Sequence, residues 1–202
     1  MKAQPNVIWL ATNNEHKRRE LAAIFATHTI KTPSDAGIAF APAETGSTFL
    51  ENALIKARAL FDIVQEPIIA DDSGLCIDAL NGEPGIFSAR YGAIDGENLS
   101  ATERNKLILK QLDGVSNRRA YFVCAMVMLL ERNRFFIAQE TLEGGIIHEE
   151  RGGGGFGYDP ILLIPKLGRT VAELSPAEKN RLSHRAKAAS AIGRLYGSTQ
   201  IV

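Results

Sequence analysis

The chain has 202 residues and contains little cysteine and no excess of either charge. Cys76 and Cys124 are its two cysteines and form no CxxC pair, which argues against a disulfide framework or a zinc site. Lys and Arg number 23, as do Asp and Glu, so the formal net charge is zero. A balanced charge argues against coating nucleic acid or an anionic membrane. We therefore expect no nucleic-acid or membrane partner, and buried thiols in a reducing cytoplasm.

Long apolar runs are also missing. No run approaches the roughly 18 residues of a membrane span, and the early stretch Val7–Ala11 is too short for the apolar region of a signal peptide. Hydrophobic residues make up 45% of the chain and charged residues 23%, which is ordinary for a folded globular protein. We expect residues 1–202 to form one domain without a linker, located in the cytoplasm.

Strand and helix signals alternate along the chain, which predicts an α/β fold. Strands are predicted over Val7–Ala11, Ile68–Ala70, Tyr121–Leu130, Phe135–Glu140 and Ile161–Ile164. Helices are predicted over Glu15–Ala26 and Ala101–Leu112, and from starts at Thr48, at Ser175 and, as a second possible start, at Ser183. Thr48 and Glu51 have the spacing of a capping box. Residues 30–47 predict a loop or an irregular strand.

The junction of the first predicted strand and helix is a candidate phosphate site. Its residues are Thr12, Asn13, Asn14, Glu15, His16 and Lys17. Backbone N–H groups at a helix N-terminus favour phosphate, and a lysine in the first turn can join them. The glycines of a Walker A loop are missing, so a plain capped helix with a solvated lysine remains the alternative.

Acidic residues form the second candidate feature. Asp71 and Asp72, followed by Ser73, come directly after the predicted strand Ile68–Ala70. Ligands of α/β sheets gather at the carboxyl ends of strands, and a carboxylate there can hold Mg²⁺ or orient an attacking water. Consecutive side chains diverge, so we expect one of the two to face the site. The alternative is an Asx-turn that ends the strand. Glu44, in a predicted loop, is either a metal ligand or a solvated acid.

The third feature lies in the C-terminal half. Four glycines precede a segment with two rings and a carboxylate, formed by Phe156, Gly157, Tyr158 and Asp159. Aromatic faces stack on nucleobases, but a glycine-rich turn whose rings belong to the core is the alternative. Lys179, His184 and Arg185 lie near the predicted helix starts, where they either donate into a site or form a solvated basic face.

These features occur in a definite order along residues 7 to 190. The matching segments are Leu10–Lys17, Glu44–Gly46 with Phe49–Ala53, Ala70–Leu75, Pro84–Tyr91, Gly155–Pro160, and Ala172–Leu174 running through to Ser183–Arg185. Each is weak alone, but the ordered set resembles the inosine/xanthosine triphosphate pyrophosphatase family. Two departures are Asn13, where many relatives have glycine, and Arg151 followed by four glycines, which is a more flexible lead-in than usual.

The resemblance implies an elongated mixed β-sheet flanked by helices, with two lobes and a central active-site cleft, assembled as a homodimer. It also implies Mg²⁺-dependent hydrolysis of ITP, dITP and XTP to the monophosphate and pyrophosphate. By matching motif, Thr12 to Lys17 would bind the triphosphate, and Asp72 would be the general base and a metal ligand. Glu44 matches a second acidic position associated with metal, and Ser73 would touch substrate. The nucleotide and its base would be held by Phe156 to Asp159, Lys179, His184 and Arg185.

Two other function classes remain open. One is a pyrophosphatase for modified pyrimidine nucleotides or a general NTPase. The base-contact segments Phe156–Asp159 and His184–Arg185 favour a purine with a 6-carbonyl over that alternative. The other is a non-catalytic nucleotide sensor, against which the carboxylates of Asp71, Asp72 and Glu44 argue, because a pure binder of anions has no need to gather acids.

Overall fold

A computed structural model of the chain describes residues 7–93 and 96–198. Its seven strands are β1 (Val7–Leu10), β2 (Thr29–Lys31), β3 (Ile68–Ile77), β4 (Arg119–Glu131), β5 (Arg134–Ile146), β6 (Leu162–Ile164) and β7 (Arg169–Thr170). They form one sheet in the order β2-β1-β3-β4-β5-β6-β7. β1 pairs in parallel with β2 and β3, whereas β6 pairs antiparallel with β5 and β7. The sheet is therefore mixed.

Five α-helices accompany the sheet in the described residues. They are α1 (Glu15–Ile24), α2 (Phe49–Val64), α3 (Ala101–Gln111), α4 (Pro176–Leu182) and α5 (His184–Ser198). Short 3₁₀ helices cover Pro33–Ala36, Asp78–Leu80, Gly85–Phe87 and Val171–Glu173. The predicted mixed α/β fold is thus confirmed. Within the part of the chain that the structure describes, no helix is both long and apolar enough to cross a membrane.

The chain divides into two compact units. Of the described residues, the first unit takes in 7–72, 124–140 and 185–198, and the second takes in 73–93, 96–123 and 141–184. In the first unit both faces of the sheet are buried, because Leu10 and Met126 pack into one apolar cluster while their neighbours Trp9 and Val127 pack into another. Burial on both faces explains why β1 and the end of β4 are continuous apolar runs.

The second unit has its own core. Leu75, Ile108, Phe122, Tyr158 and Leu162 are all buried there, together with parts of β5 and the 3₁₀ helix at Val171–Glu173. α3 supplies Ile108 to this core, and Leu112 follows four residues later. This is the spacing expected of an amphipathic helix.

Local chemistry starts the helices where the sequence predicts. The Asn14 side chain accepts hydrogen bonds from the backbone N–H groups of His16 and Lys17 at 2.9 and 3.3 Å. Capping boxes open α2 at Thr48 and α4 at Ser175. α4 ends at Leu182 and α5 begins at His184, so the second predicted start is confirmed.

Two predicted strands end too early. The strand predicted over Phe135–Glu140 continues to Ile146 as β5. The strand expected to stop at Ala70 continues to Ile77 as β3, and Asp71 and Asp72 lie inside it. The alternative of an Asx-turn at this point is therefore also wrong. Asp is disfavoured in strands, but here both carboxylates are neutralised by cations from distant parts of the chain, which local pattern does not reveal.

Candidate functional site

Asp71 is a buried anchor for two cations. Its Oδ2 lies 2.9 Å from Lys17 Nζ and 3.3 Å from Arg185 Nε, and Lys17 also donates to the Asp71 carbonyl oxygen at 3.4 Å. Burial alone would raise the pKa of Asp71, but Lys17 and Arg185 together hold it far below its usual range. Asp71 therefore stays ionised and fixes the position of the Lys17 ammonium.

Arg185 is itself held from two sides. Its Nη1 lies 2.6 Å from Glu20 Oε2 while Nε contacts Asp71, and the side chain is 2% exposed. Burial disfavours the charged guanidinium, yet Asp71 and Glu20 raise its pKa above the usual value. Lys179 and His184 are also buried, at 6% and 5% exposure. The alternative of a solvated basic face is thus wrong for all three residues.

Asp72 contacts a different set of partners from Asp71, as expected for consecutive residues of a strand. Its Oδ1 accepts a hydrogen bond from Lys56 Nζ at 3.0 Å, and its Oδ2 accepts one from Asn52 Nδ2 at 3.3 Å. Burial raises the pKa of Asp72 above its usual value and outweighs the lysines Lys56 and Lys17, which lower it. The pKa values of the two adjacent carboxyls are therefore shifted in opposite directions.

Glu44 and Asp72 both form an ion pair with Lys56. Lys56 Nζ lies 2.9 Å from Glu44 Oε1 and 3.0 Å from Asp72 Oδ1. Burial alone would lower the pKa of Lys56, but the nearby carboxylates raise it above its usual value. Mg²⁺ is commonly held by one or two carboxylates together with substrate phosphates, so the chemistry of this oxygen pair fits that ion. Among the described residues, no group of three or more His, Cys, Asp or Glu forms a metal cluster.

The predicted phosphate segment forms the N-terminus of α1. Asn13, Asn14, Glu15 and His16 are exposed, whereas Thr12 and Lys17 are half-buried. Thr12 Oγ1 accepts a hydrogen bond from Asn14 N at 3.2 Å. Asn13, the departure from glycine, donates from Nδ2 to the Phe40 carbonyl oxygen at 2.6 Å. The asparagine thus ties the first turn to another loop.

In the second unit, Asp159 organises the predicted base-contact segment. Its Oδ2 accepts hydrogen bonds from Phe156 N and Lys179 Nζ, both at 2.7 Å. Lys179 Nζ also lies 4.5 Å from the centroid of the Phe156 ring. Three of the residues predicted to hold the nucleotide are therefore in mutual contact. The Phe156 ring is half-buried, so it is not absorbed into the core.

Tyr158 and His184 pack against apolar residues of the second unit. Tyr158 belongs to the core of the second unit, where its hydroxyl donates to the Ser88 carbonyl oxygen at 2.9 Å and burial raises its pKa to about 12. The His184 ring stacks on Phe122 with the centroids 5.0 Å apart. Ser73 follows Asp72 in β3 and is half-buried. The alternative in which the aromatic rings belong to the core is therefore correct for Tyr158 but not for Phe156.

Sequence reasoning assigned no role to Lys56, Asn52 or Glu20. Asn52 and Lys56 are four residues apart among the buried residues of α2, and a polar pair in the apolar stripe of a helix is the signal that could have identified them. Asn52 also accepts a hydrogen bond from Gly46 N at 2.9 Å, which links the loop of Glu44 to Asp72. Glu20 follows Lys17 by three residues on α1, so only its spacing pointed to the site.

The chain is similar to known proteins over most of its length. The model of the Ham1 family matches residues 8–194. The chain is 54% identical over 187 residues to a dITP/XTP pyrophosphatase of Treponema denticola, covering 93% of this chain and 96% of that protein. A dITP/XTP pyrophosphatase of Geobacillus kaustophilus is 46% identical over 185 residues, covering 90% of this chain and 89% of that protein.

Solved structures show the same fold. The Ham1 protein of Staphylococcus aureus superimposes with a TM-score of 0.84 at 40% identity, covering 95% of this chain and 99% of that one. A HAM1 protein of Coxiella burnetii gives a TM-score of 0.85 at 39% identity, covering 95% of this chain and 98% of that one.

Proposed function

Since the chain belongs to the Ham1 family, we propose that it hydrolyses the non-standard purine nucleoside triphosphates dITP, XTP and ITP. The products are the nucleoside monophosphate and pyrophosphate. The observation that carries the proposal is the close similarity, over nearly the whole chain, to relatives named dITP/XTP pyrophosphatase. We further propose that the enzyme depends on Mg²⁺, works as a homodimer in the cytoplasm, and protects the nucleotide pool.

Asp72 is the general base in this proposal. A buried carboxylate with a raised pKa is a better proton acceptor than an ordinary aspartate. It takes a proton from the attacking water, whose oxygen bonds to the α-phosphorus while the bond from that phosphorus to the bridging oxygen breaks. Pyrophosphate then leaves. No covalent intermediate with the protein is required.

The cations prepare the substrate for attack. A triphosphate carries about four negative charges, which must be neutralised before a nucleophile can approach. Lys17, fixed by Asp71 at the start of α1, suits the phosphates, and the positive end of the helix dipole favours an anion there. Mg²⁺, when held by Asp72 and Glu44, would supply further charge neutralisation for the phosphates. Lys56 holds the two carboxylates in place from the protein side.

We assign base binding to the ring of Phe156 and to His184 and Arg185. The Phe156 ring offers a face for stacking, and the Asp159–Lys179 pair holds its backbone. Hypoxanthine and xanthine carry a 6-carbonyl, which accepts hydrogen bonds, whereas adenine carries an amino donor there. Donors such as His184 and Arg185 would meet the carbonyl well and would be left unsatisfied by adenine, at a cost of roughly 10³-fold or more in kcat/KM.

The test is pyrophosphate release from ITP, XTP, dITP, GTP, ATP and dTTP, with Mg²⁺ and with EDTA. We expect fast release from the first three substrates, and only with the metal. Equal rates with all six, or release of orthophosphate, would instead indicate a general NTPase. Preference for dTTP would indicate a pyrimidine enzyme, and tight binding without turnover would indicate a sensor. Light scattering after size exclusion tests the homodimer.

A further inference from the structure

Asn105 on α3 is a buried amide with two acceptors at one end. Its Nδ2 donates to Glu150 Oε1 at 2.6 Å and to the Gly157 carbonyl oxygen at 3.2 Å, and the residue is 1% exposed. Both partners are acceptors, so the amide nitrogen must face them. Asn105 Oδ1 is buried and accepts no hydrogen bond from any residue that the structure describes. The side chain is therefore held through its nitrogen alone.

Gly157 lies in the middle of the proposed base-binding segment. Its φ of +62° is in the left-handed region that favours glycine. The other three residues of Phe156–Asp159 have anchors of their own. Tyr158 is tied to Ser88, and Phe156 N is tied to Asp159. Gly157 has no side chain, so the protein can hold it only through its backbone, and its carbonyl accepts the hydrogen bond from Asn105.

Fixing that carbonyl fixes the peptide plane between Gly157 and Tyr158. The peptide plane between Phe156 and Gly157 joins this plane at the Gly157 Cα. Rotation of the backbone at Gly157 would therefore move the Phe156 ring relative to Lys179. A buried amide that leaves its own oxygen unsatisfied carries a cost in stability. That cost is explained if the orientation of the Gly157 carbonyl matters to the site.

From these contacts we propose that Asn105 is a positioning residue for nucleobase binding, acting through the Gly157 carbonyl on the Phe156 ring. The role rests on the proposed function, because it concerns the substrate base. It differs from a purely structural role, since it predicts a loss confined to ligands that carry a base.

The test compares Asn105→Leu with the wild type and with Lys106→Ala, a change at the neighbouring exposed position of α3. Leucine has the same number of side-chain heavy atoms and the same branching at Cγ, but no donor. The measurements are KM and kcat for ITP, the inhibition constants of IMP and pyrophosphate, and hydrogen–deuterium exchange of residues 155–160. Asn105→Ser, which keeps a short donor, is measured in the same way if the leucine variant does not fold.

We expect KM for ITP and the inhibition constant of IMP to rise about tenfold. The inhibition constant of pyrophosphate should change by less than about twofold, since pyrophosphate has no base to stack. Exchange of residues 155–160 should become faster, and Lys106→Ala should match the wild type. Equal losses for IMP and pyrophosphate, or an unchanged IMP constant, would overturn the role of Asn105. Failure of the wild type to hydrolyse ITP would overturn the proposed function instead, and calorimetry of IMP and pyrophosphate would still test Asn105.

Discussion

Replacing each of the adjacent carboxyls by its amide should separate stability from catalysis. Asp71→Asn removes the charge that holds Lys17 and Arg185, so we expect it to reduce stability. Asp72→Asn removes a carboxylate whose ionised form is disfavoured by burial, so we expect it to spare the fold and abolish turnover. The two changes are equal in size and differ by one position.

The expected magnitudes follow from burial. Removing one partner of a buried ion pair costs about 3–5 kcal/mol. Arg185 keeps Glu20 as a partner, so we expect about 3 kcal/mol for Asp71→Asn, or a fall in Tm of roughly 6–12 °C for a chain of this size. Asp72→Asn should stay within about 1 kcal/mol of the wild type, because burial already disfavours the ionised form of Asp72 and Lys56 keeps Glu44. Its kcat should fall by about 10³-fold or more, and that of Asp71→Asn by about tenfold at most.

The contributions of Asp71 and Asp72 to the free energy of unfolding should also depend on pH with opposite signs. The pKa of Asp71 is lowered in the folded protein, so its contribution to stability is present above the unfolded pKa of about 3.9 and is lost as the pH falls through the folded pKa. The pKa of Asp72 is raised, so its contribution is present below the unfolded pKa and is lost as the pH rises through the folded pKa. The deficit of Asp71→Asn should therefore shrink on acidification below about pH 4.

The assays are urea denaturation of both variants between pH 3 and pH 8 in EDTA, and pyrophosphate release from ITP with Mg²⁺. Working without metal keeps any binding to Asp72 out of the stability measurement. Equal losses of kcat in the two variants would show that Asp72 is the wrong choice of base. A larger loss of stability in Asp72→Asn than in Asp71→Asn would refute the conclusion that the pKa values of the two carboxyls are shifted in opposite directions.

Three further changes test the remaining contacts. Lys17→Ala should weaken binding of ITP more than that of IMP in calorimetry, and no change for the triphosphate would exclude Lys17 from the phosphate site. Arg185→Ala should lower Tm by several degrees. A loss of kcat/KM larger for ITP than for ATP would support its base contact, and a common factor would assign it to anchoring Asp71. Gly155→Ala, which brings a Cβ against the Asp159 carboxylate at a φ of +70°, should weaken IMP binding and lower Tm, whereas Gly153→Ala has open space and serves as its control.

The sequence by itself determined the features that depend on neighbouring residues. Asn14, Thr48 and Ser175 begin helices because each cap contacts N–H groups two or three positions away. β1 and β4 follow from apolar runs that are buried on both faces. The ordered motifs also identified the family, since their order needs no knowledge of contacts.

Tertiary structure alone decided which partners each charged group has. The residue pattern by itself did not distinguish the surroundings of Asp71 from those of Asp72, and only the resemblance favoured Asp72, whereas the fold gives the two carboxylates different partners. Asp72 meets Lys56 across 16 positions, and Asp71 meets Lys17 across 54 and Arg185 across 114. A pKa depends on burial and on charges within a few ångströms, and distances of that kind between remote residues exist only once the sheet has formed.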